Sequence, residues 1–360
     1  MKDLTLQDLA TPPVDIETFI KDPVYLGAYF TDVYPYWVDK LKSIYTDPLH
    51  PNCVEVLLAG SYGAGRTTAA IIGFLYDLYI LTLVNNPHEV WSLMPSTSIN
   101  LALVGHYVYN SYSDMILDAL LISPYFRSKI LPGKGTALQD NMFANGIGIV
   151  GIHPSDFSVS SILGKAIVGA IFETDIGDCS PDSAYEKTYS TLRRRFYSRF
   201  VNQAGISPCH LWMVSSAEGL LTSFLKNHVE TMLVSPVCIY IAPSIWEVQA
   251  HKGIYCGKTF SVYVGDADTE SYIVPDDGRF ADAIHVIHVP IEYRQNFEKD
   301  IYAAIRELAG IPVRMPAPKK VSPWGAFRKW FVSRIGLQGL YGLGILAAFF
   351  LGIIYGIYGV

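Results

Sequence analysis

Apolar and polar positions follow one another in blocks along the chain, and these blocks predict strands and helices in turn. The short apolar run "VEVLL" (Val54–Leu58) predicts a buried strand, and the long apolar segment "TTAAIIGFLYDLYILTL" after it predicts a buried helix. "EVWSLMPS" (Glu89–Ser96) then predicts a second strand. A strand, a tight loop, a helix and a strand form a βαβ unit, which implies a parallel sheet.

The remaining pattern continues this alternation, and an amphipathic helix beginning near Tyr36 precedes the first strand. A helix is predicted over 101–123, ending before Pro124. Apolar runs rich in β-branched residues predict further strands, and charged or amphipathic segments predict helices. The strands are predicted at Asn145–His153, Ala166–Thr174, His210–Gly219, 259–266 and 285–293, and the helices at 183–203 and 296–310, the latter closed by Gly310. The fold class is α/β.

The pattern also divides the chain into four parts: an N-terminal segment (1–50), an α/β domain (51–312), a basic, proline-containing linker (313–335) and a hydrophobic tail (336–360). The tail carries no charge and exceeds the roughly 20 apolar residues needed to cross a bilayer. Arg328, Lys329 and Arg334 precede it, and they predict a C-terminal membrane helix with the main body in the cytoplasm. An apolar tail buried in the body or in a partner is the alternative.

Composition narrows the class of protein. The chain has 360 residues, 50% of them hydrophobic and 17% charged, which is enough for a substantial core. Its five cysteines form no C-x-x-C pair, and this argues against a zinc finger or a disulfide framework. The N-terminus lacks the build of a signal peptide. A net charge of −6 gives no global attraction to nucleic acid, so a DNA contact would need a local basic patch such as "LRRRFYSRF".

A glycine-rich stretch between the first strand and the next helix almost spells a phosphate-binding loop. Gly60-Ser61-Tyr62-Gly63-Ala64-Gly65-Arg66-Thr67 fits the Walker A pattern at all defined positions but one. Glycines let the backbone N–H groups turn inward around phosphate oxygens, and the following helix aims its positive end at the same anion. Thr67 is the expected Mg²⁺ ligand, and Thr68 extends the nucleotide-binding set. A simple strand-to-helix turn is the alternative interpretation.

The mismatch is Arg66, which stands where the pattern has lysine. Lysine reaches the β- and γ-phosphates as a compact charge, whereas arginine keeps the charge on a larger planar fork. We therefore expect binding to survive better than hydrolysis.

An acidic group at the end of a neighbouring buried strand is the second part of a nucleotide-hydrolysing site. "AIVGAIFETDIGD" supplies Glu173 and Asp175 after an apolar run. We expect Glu173 to activate water, as the catalytic residue, and Asp175 to be a magnesium partner. The alternative is a strand that leaves the core into a solvated acidic loop.

Other polar groups are less specific. The residues Arg193, Arg194, Arg195 and Arg199 are candidates for an arginine finger or a DNA contact, and a solvated basic face explains them equally well. Ser215 and Ser216 end a predicted strand in "MVSSAEG" and are candidates for coupling. His153, His285 and His288 lie in apolar strands, which is typical of core or edge histidines.

Taken in order, these segments resemble the ATPase domain of the large terminase subunit, the DNA-packaging motor of tailed bacteriophages. The resemblance runs from "DIETFIKDPVYLG" through the glycine loop, "AIFETDI", "YSTLRRRFYSRF", "HLWMVSSAEG" and "GKTFSVYVGD" to "AAIRELAGIP". It implies a P-loop NTPase with a RecA-like core that uses ATP and Mg²⁺ and couples hydrolysis to DNA translocation. The implied partners are double-stranded DNA, the portal protein, a small terminase subunit and further copies in a ring. The implied location is the host cytoplasm, at the procapsid portal.

By position, the resemblance assigns the phosphate loop to Gly60–Thr67, the acidic motif to Phe172–Asp175 and the coupling motif to Ser215-Ser216. It also assigns the adenine side to the aromatic segment Tyr34–Trp37, with Tyr36 and Trp37 as candidates. The adenine-side role is implied by the resemblance alone, whereas the loop and the acidic motif are also predicted by their own residue patterns.

The chain departs from the family in three places. Arg66 replaces the loop lysine, and Phe172 stands where the magnesium-binding aspartate is expected if Glu173 is the catalytic glutamate. The other register puts Glu173 in the aspartate position and Thr174 in that of the glutamate. No segment resembles the family's nuclease domain, so we expect no DNA cleavage. The alternative to a motor is a catalytically weakened nucleotide-binding or scaffold protein, tethered to a membrane through 336–360.

Overall fold

A computed structural model of the chain describes residues 3–105, 112–135, 137–140, 142–154, 164–174, 184–266, 269–275 and 285–314. Asp175, the hydrophobic tail and nearly all of the predicted linker lie outside these residues. Met1–Arg314 fall into one compact unit. The predicted domain boundaries stay predictions.

The described helices and strands alternate along most of the chain. The helices are α1 (Ile16–Lys21), α2 (Pro35–Ile44), α3 (Arg66–Leu83), α4 (Pro87–Val90), α5 (Tyr112–Ile122), α6 (Pro124–Lys129), α7 (Ala184–Phe200), α8 (Ser223–Leu233), α9 (Ile245–Gln249), α10 (Arg294–Lys299) and α11 (Ile301–Glu307). The strands are β1 (Glu55–Leu58), β2 (Ile99–Val104), β3 (Ile147–Ile152), β4 (Ala166–Glu173), β5 (Leu211–Val214), β6 (Cys238–Ile241), β7 (Thr259–Tyr263), β8 (Tyr272–Ile273) and β9 (Val286–Pro290).

Six strands form one sheet in the order β3-β2-β4-β5-β1-β6, and all of its neighbouring strands are parallel. Its four inner strands are almost wholly buried, because helices cover both faces, as parallel sheets require. β5 lies between β1 and β4, so the strand before the glycine loop and the strand with the acidic motif are second neighbours. The predicted α/β fold with a mainly parallel sheet flanked by helices is confirmed.

The two faces of this sheet can be told apart by their contacts. Gly73 of α3 faces Trp212 of β5, and an added Cβ at Gly73 would collide with the indole ring. Phe172 of β4 instead packs against Tyr189 of α7, with ring centroids 5.3 Å apart. Since successive side chains of a strand point to opposite faces, Ile171 and Glu173 share the α3 face with Trp212, which is the cross-strand partner of Ile171.

A second, antiparallel sheet has the order β8-β7-β9 and packs with α10 and α11 around its own apolar cluster, which includes Phe260, Val262, Val289, Phe297 and Ile305. The N-terminal segment lies on the main core, where Phe19 and Trp37 are buried. Of the described helices, only α3 is apolar and long enough to cross a membrane, and 78% of it is buried inside the protein. Helix α3 is therefore a core helix.

Three sequence predictions of elements were wrong. Glu89–Ser96 is not a strand, because the chain forms the short helix α4 there and then turns, with Ser92 at φ 51°. The second strand is β2, but the sequence pattern predicted a helix beginning at residue 101. The run is continuously apolar, and periodicity alone does not tell a buried strand from a buried helix. The helix predicted over 296–310 is broken at Asp300, whose side chain caps α11 by accepting from the Ala303 N–H.

Candidate functional site

The glycine loop joins the end of β1 to the start of α3. Gly60, Gly63 and Gly65 have φ values of 104°, 69° and 74°, which residues with a Cβ rarely adopt. Gly65 is the left-handed N-cap of α3. The three glycines therefore supply the tight, concave path that sequence reasoning expects of a phosphate-binding loop.

Hydrogen bonds from distant segments hold the outer side of the loop. The Ser61 N–H donates to the carbonyl of Pro243 over 3.2 Å, and the Tyr62 N–H donates to that of Glu307 over 2.8 Å. Gly310 lies so close that an added Cβ would come within 2.5 Å of the Ser61 nitrogen. The indole N–H of Trp37 donates to the Ala64 carbonyl. The loop is thus shaped by its surroundings as well as by its glycines.

The next amides of the loop are left open. Within the described residues, the N–H groups of Gly63, Ala64 and Gly65 donate to no protein acceptor. They are followed by the first turn of α3, whose N–H groups also lack intrahelical partners and carry the positive end of an 18-residue helix. Consecutive open amides at a helix N-terminus favour a phosphate or another anion. The loop therefore fits a nucleotide phosphate.

Arg66 is nearly buried, with 9% of its surface exposed, and its guanidinium carbon lies 5.9 Å from the centre of the Tyr62 ring. Tyr62 itself is 46% exposed. The side chain of Arg66 thus lies against the loop, where a planar fork is harder to reorient than a lysine ammonium.

Thr67 and Thr68 begin α3 and are both half-buried. The Thr67 hydroxyl lies 3.3 Å from the hydroxyl of Tyr112 at the start of α5. A threonine at this position matches the hydroxyl that holds Mg²⁺ beside a bound nucleotide.

Glu173 lies at the end of β4 on the α3 face. In the sheet register, Glu173 pairs with Val214 and Val214 pairs with Leu58, so the three form one row across β4, β5 and β1. Neighbouring strands are about 4.8 Å apart, which puts the Glu173 backbone about 10 Å from the strand that carries the loop. Glu173 thus stands two strands from the strand that carries the loop, on the same face of the sheet as α3.

The neighbours of Glu173 are both engaged by the protein. Phe172 is fully buried on the opposite face of the sheet, and the Thr174 hydroxyl donates to the Val214 carbonyl over 2.7 Å. Thr174 is 1% exposed and provides no carboxylate. The catalytic role of Glu173 and the choice between the two registers stay predictions. Asp175, the predicted magnesium partner, lies outside the described residues.

The coupling candidates are tied to the same edge of the sheet. The Ser215 N–H donates to the Leu58 carbonyl over 3.0 Å, just before the loop. The Ser216 hydroxyl accepts from the Gly219 N–H over 3.1 Å, and both serines are buried. Both serines follow β5, which lies between β1 and β4, and their coupling role stays a prediction.

The aromatic segment lies beside the loop. Trp37 is 2% exposed, and the Tyr34 ring would lie 3.3 Å from an added Cβ at Gly65. Tyr36 is half-buried, and burial together with the nearby Glu247 raises its pKa to about 12, so it stays neutral. The adenine-side roles of Tyr36 and Trp37 stay predictions.

The four arginines of α7 do not act alike. Arg193 donates to the buried carboxylate of Glu55 over 2.7 Å, at the start of β1 and therefore at the end away from the loop. Arg194 and Arg199 are exposed, while Arg195 is half-buried and has a pKa lowered by burial and by nearby Arg199. Arg193 belongs to a structural ion pair, and Arg194 and Arg199 have the exposure that a finger or DNA contact requires.

Sequence reasoning missed a buried polar network behind the loop. The Asp77 carboxylate of α3 accepts from the Tyr45 hydroxyl at 2.6 Å, the Trp212 indole at 3.1 Å and the His210 backbone at 3.0 Å, and it lies 2.9 Å from His210 Nδ1. Burial opposes the charge of His210, but Asp77 outweighs it and raises the histidine pKa to about 10. The network joins the helix after the loop to the coupling strand. An aspartate that interrupts an apolar run, as in "FLYDLYI", is a signal that could have indicated a buried charge there.

Within the described residues, no group of three or more histidines, cysteines, aspartates or glutamates is arranged to hold a metal ion. Magnesium beside a nucleotide needs less than that, because it keeps waters and takes oxygens from the phosphates together with one or two protein ligands. Thr67 provides one such oxygen. The residues therefore fit a metal that arrives with the nucleotide.

No family model matches the chain, and no curated protein is significantly similar to it in sequence. Three similar solved structures are large terminases or their ATPase domains. The large terminase of bacteriophage HK97 is 11% identical with a TM-score of 0.40, and the match covers 64% of this chain and 43% of that one. A mutant ATPase domain from Thermus phage P74-26 is 8% identical with a TM-score of 0.36, covering 70% of this chain and 90% of that one.

The third is a large terminase from a thermophilic bacteriophage in complex with ADP, 11% identical with a TM-score of 0.29, covering 78% of this chain and 76% of that one. This chain thus spans less than half of the HK97 protein. The likeness is distant, and the chemistry of the site follows from this chain's own residues.

Proposed function

We propose that this chain is a terminase-like P-loop ATPase that couples ATP hydrolysis to the movement of double-stranded DNA into a viral procapsid. The observation that carries the ATPase part is the open row of amides at Gly63–Gly65, with Glu173 two strands away on the same face as α3. The DNA part is implied by the family resemblance of the sequence.

In this mechanism the loop amides and the N-terminus of α3 bind the phosphates of ATP, and Arg66 adds positive charge. Glu173 accepts a hydrogen bond from a water and orients it for attack on the γ-phosphorus, so that ADP and inorganic phosphate are released. Thr67 and Asp175 would hold Mg²⁺, which neutralises the charge that develops on the phosphates. Ser215 and Ser216 pass the loss of the γ-phosphate from one strand end to the next.

The chain acts as a ring of identical subunits at the portal, in the host cytoplasm, together with a small terminase subunit. Arg194 or Arg199 reaches a phosphate, of DNA or of the neighbouring subunit's nucleotide, because both are exposed. No DNA cleavage by this chain is expected.

A second candidate function is favoured by the residues at positions 66 and 172. The buried Arg66 stands where the loop pattern has a lysine, and the buried Phe172 leaves the acidic motif without a second carboxylate before Glu173. It is a nucleotide-binding or scaffold protein with weak turnover, tethered to a membrane through 336–360. Deleting 336–360 should then release the protein from carbonate-washed membranes, and an equally soluble full-length chain excludes the tether.

Phosphate release by the full chain, with and without linear double-stranded DNA, separates the two functions. The motor requires turnover that DNA stimulates and that Glu173→Gln lowers by about 100-fold or more. Glu230→Gln, the same change on an exposed residue of α8, is the matched control and should leave the rate unchanged. ATP binding without phosphate release in the presence of DNA would exclude the motor and leave the second candidate.

A further inference from the structure

Trp37 makes a contact with the phosphate loop that the proposed function does not use. The side chain is 2% exposed, and its indole N–H donates to the carbonyl oxygen of Ala64, which is itself fully buried. The distance in sequence is 27 residues, so the contact fastens the N-terminal segment to the loop. It is one of the few polar contacts that reach the loop between Tyr62 and α3.

The consequence follows from peptide geometry. In a trans peptide the C=O of one residue and the N–H of the next lie in one plane and point in opposite directions. The carbonyl of Ala64 belongs to the same peptide group as the N–H of Gly65. When Trp37 holds this carbonyl toward α2, the Gly65 N–H must point away from α2, toward the open side of the loop.

We propose that Trp37 is a positioning residue that aims the Gly65 amide at the β-phosphate of a bound nucleotide. This inference rests on the proposed nucleotide site and deepens it. Without the indole donor, the Ala64–Gly65 peptide can rotate, and the loop loses one of its ordered donors. The role differs from stacking on a base, because the indole is buried and its ring edge is already engaged by Ala64.

The packing around Gly65 supports this role. A Cβ at Gly65 would lie 3.3 Å from the Tyr34 ring and 3.4 Å from the Trp37 indole nitrogen, so the backbone of the loop rests directly on these two rings. Tyr36 meets the Trp37 ring edge to face, with centroids 5.1 Å apart. The indole is therefore locked on several sides, as a group that fixes the direction of a peptide must be.

The test is the ratio of ADP to AMP affinity of the full chain, measured by calorimetry. Trp37→Phe keeps a ring and removes the N–H, and we expect the ADP affinity to fall about 10-fold relative to that for AMP, because only ADP has a β-phosphate. Trp91→Phe is the matched control: its indole nitrogen is buried, and within the described residues it has no hydrogen-bond partner. Its ratio should equal that of the wild type.

An unchanged ratio in Trp37→Phe overturns the inference. If both affinities fall equally, Trp37 has a base-stacking or purely structural role, and if neither falls, it has no role in nucleotide binding. A wild-type chain that binds no ADP instead overturns the proposed function, so the two failures are distinct. If circular dichroism shows Trp37→Phe to be unfolded, replacing Trp37 by 3-benzothienylalanine takes its place, because this residue keeps both rings and has sulfur where the indole has its N–H. It should lower the ratio in the same way, and an unchanged ratio refutes the positioning role.

Discussion

The two ends of strand β1 carry polar groups in opposite conditions. At its start, the buried carboxylate of Glu55 accepts from Tyr189, Tyr197 and Arg193, so its charge is fully used by the protein. Beyond its end, the amides of Gly63 to Gly65 donate to no protein acceptor among the described residues. Strand β1 is four residues long, and it thus lies between a carboxylate whose hydrogen bonds are all made and backbone donors that have none in the described part of the chain.

The polar groups at the start of β1 are expected to stabilise the fold, and those after its end are expected to bind a ligand. A buried charge that has all its partners stabilises one arrangement of β1 and α7, and losing a partner weakens the fold. Open donors at a rigid loop contribute little to folding, but they are ready for an anion. Changes at the start of β1 should therefore alter unfolding, and changes at its end should alter nucleotide binding.

The largest effect is expected at the start of β1. Arg193→Met removes the cation beside Glu55 and leaves a buried carboxylate, which should lower the free energy of unfolding by about 3 kcal/mol. Urea denaturation measures it. Arg194→Met, the same change at the next, exposed position, should cost within about 0.5 kcal/mol. An equal loss of unfolding free energy in both variants would show that Glu55 does not depend on Arg193. A changed ADP affinity in folded Arg193→Met would show that the start of β1 also affects nucleotide binding.

The network behind the loop should show the next largest effect. Asp77→Asn weakens hydrogen bonds to a charged group and should lower the free energy of unfolding by about 2 kcal/mol. Because Asp77 raises the pKa of His210 from 6.5 to about 10, this stabilisation is complete below pH 6.5 and is lost as the pH rises through 10. Burial raises the pKa of Tyr45 well above 10, so this partner stays neutral over most of the range.

Unfolding midpoints between pH 6 and 10 check this prediction. The wild type should lose stability with rising pH more steeply than Asp77→Asn. Parallel curves would mean that His210 does not carry the charge assigned to it.

A smaller effect is expected at the end of β1, and there it should appear in binding. Gly63 has φ 69°, and Gly63→Ala should cost about 1 kcal/mol of stability through backbone strain. It should also weaken ADP binding about 10-fold, because the loop amides lose their alignment. Gly133, with φ 75° and open space around it, gives the matched control Gly133→Ala, with similar strain and unchanged ADP affinity. Equal ADP affinities in the two variants would show that Gly63 does not contribute to nucleotide binding.

The smallest effect is expected from Arg66→Lys. The change keeps the charge and replaces a buried fork with a compact ammonium, so stability should shift by less than about 1 kcal/mol. If the arginine limits phosphoryl transfer, phosphate release should rise about threefold, a difference of under about 1 kcal/mol. An unchanged rate would show that Arg66 already serves as the lysine does. Arg127→Lys, on an exposed helix, controls for the substitution itself.

Local patterns in the sequence predicted the parts of the site that depend on backbone conformation. The glycines at positions 60, 63 and 65 predict positive φ angles, and the apolar run that ends in Glu173 predicts a buried strand with an acidic end. The same logic failed at Glu89–Ser96, where Pro87 starts a short helix and the strand comes later, at β2. An apolar run without a clear period does not say which segment enters the sheet.

Contacts between distant side chains could not be predicted, because no periodicity encodes them. Trp37 and Ala64 are 27 residues apart, and Asp77 and His210 are 133 residues apart. The four arginines of α7 look alike in sequence, yet only the helix orientation separates Arg193, which pairs with Glu55, from the exposed Arg194 and Arg199. The glycine motif was visible in the sequence, whereas the residues that hold the loop in shape could be identified only from the structure.

The hydrogen bond from Tyr62 to the carbonyl of Glu307 has a consequence for synthesis of the protein. The ribosome makes residue 62 early, but the acceptor that shapes the loop, and the Gly310 backbone that packs on it, arrive about 245 residues later. A nascent chain therefore contains the whole glycine loop long before the contacts that hold its outer side can form. The loop takes the shape described above only when nearly all of the α/β body has been made.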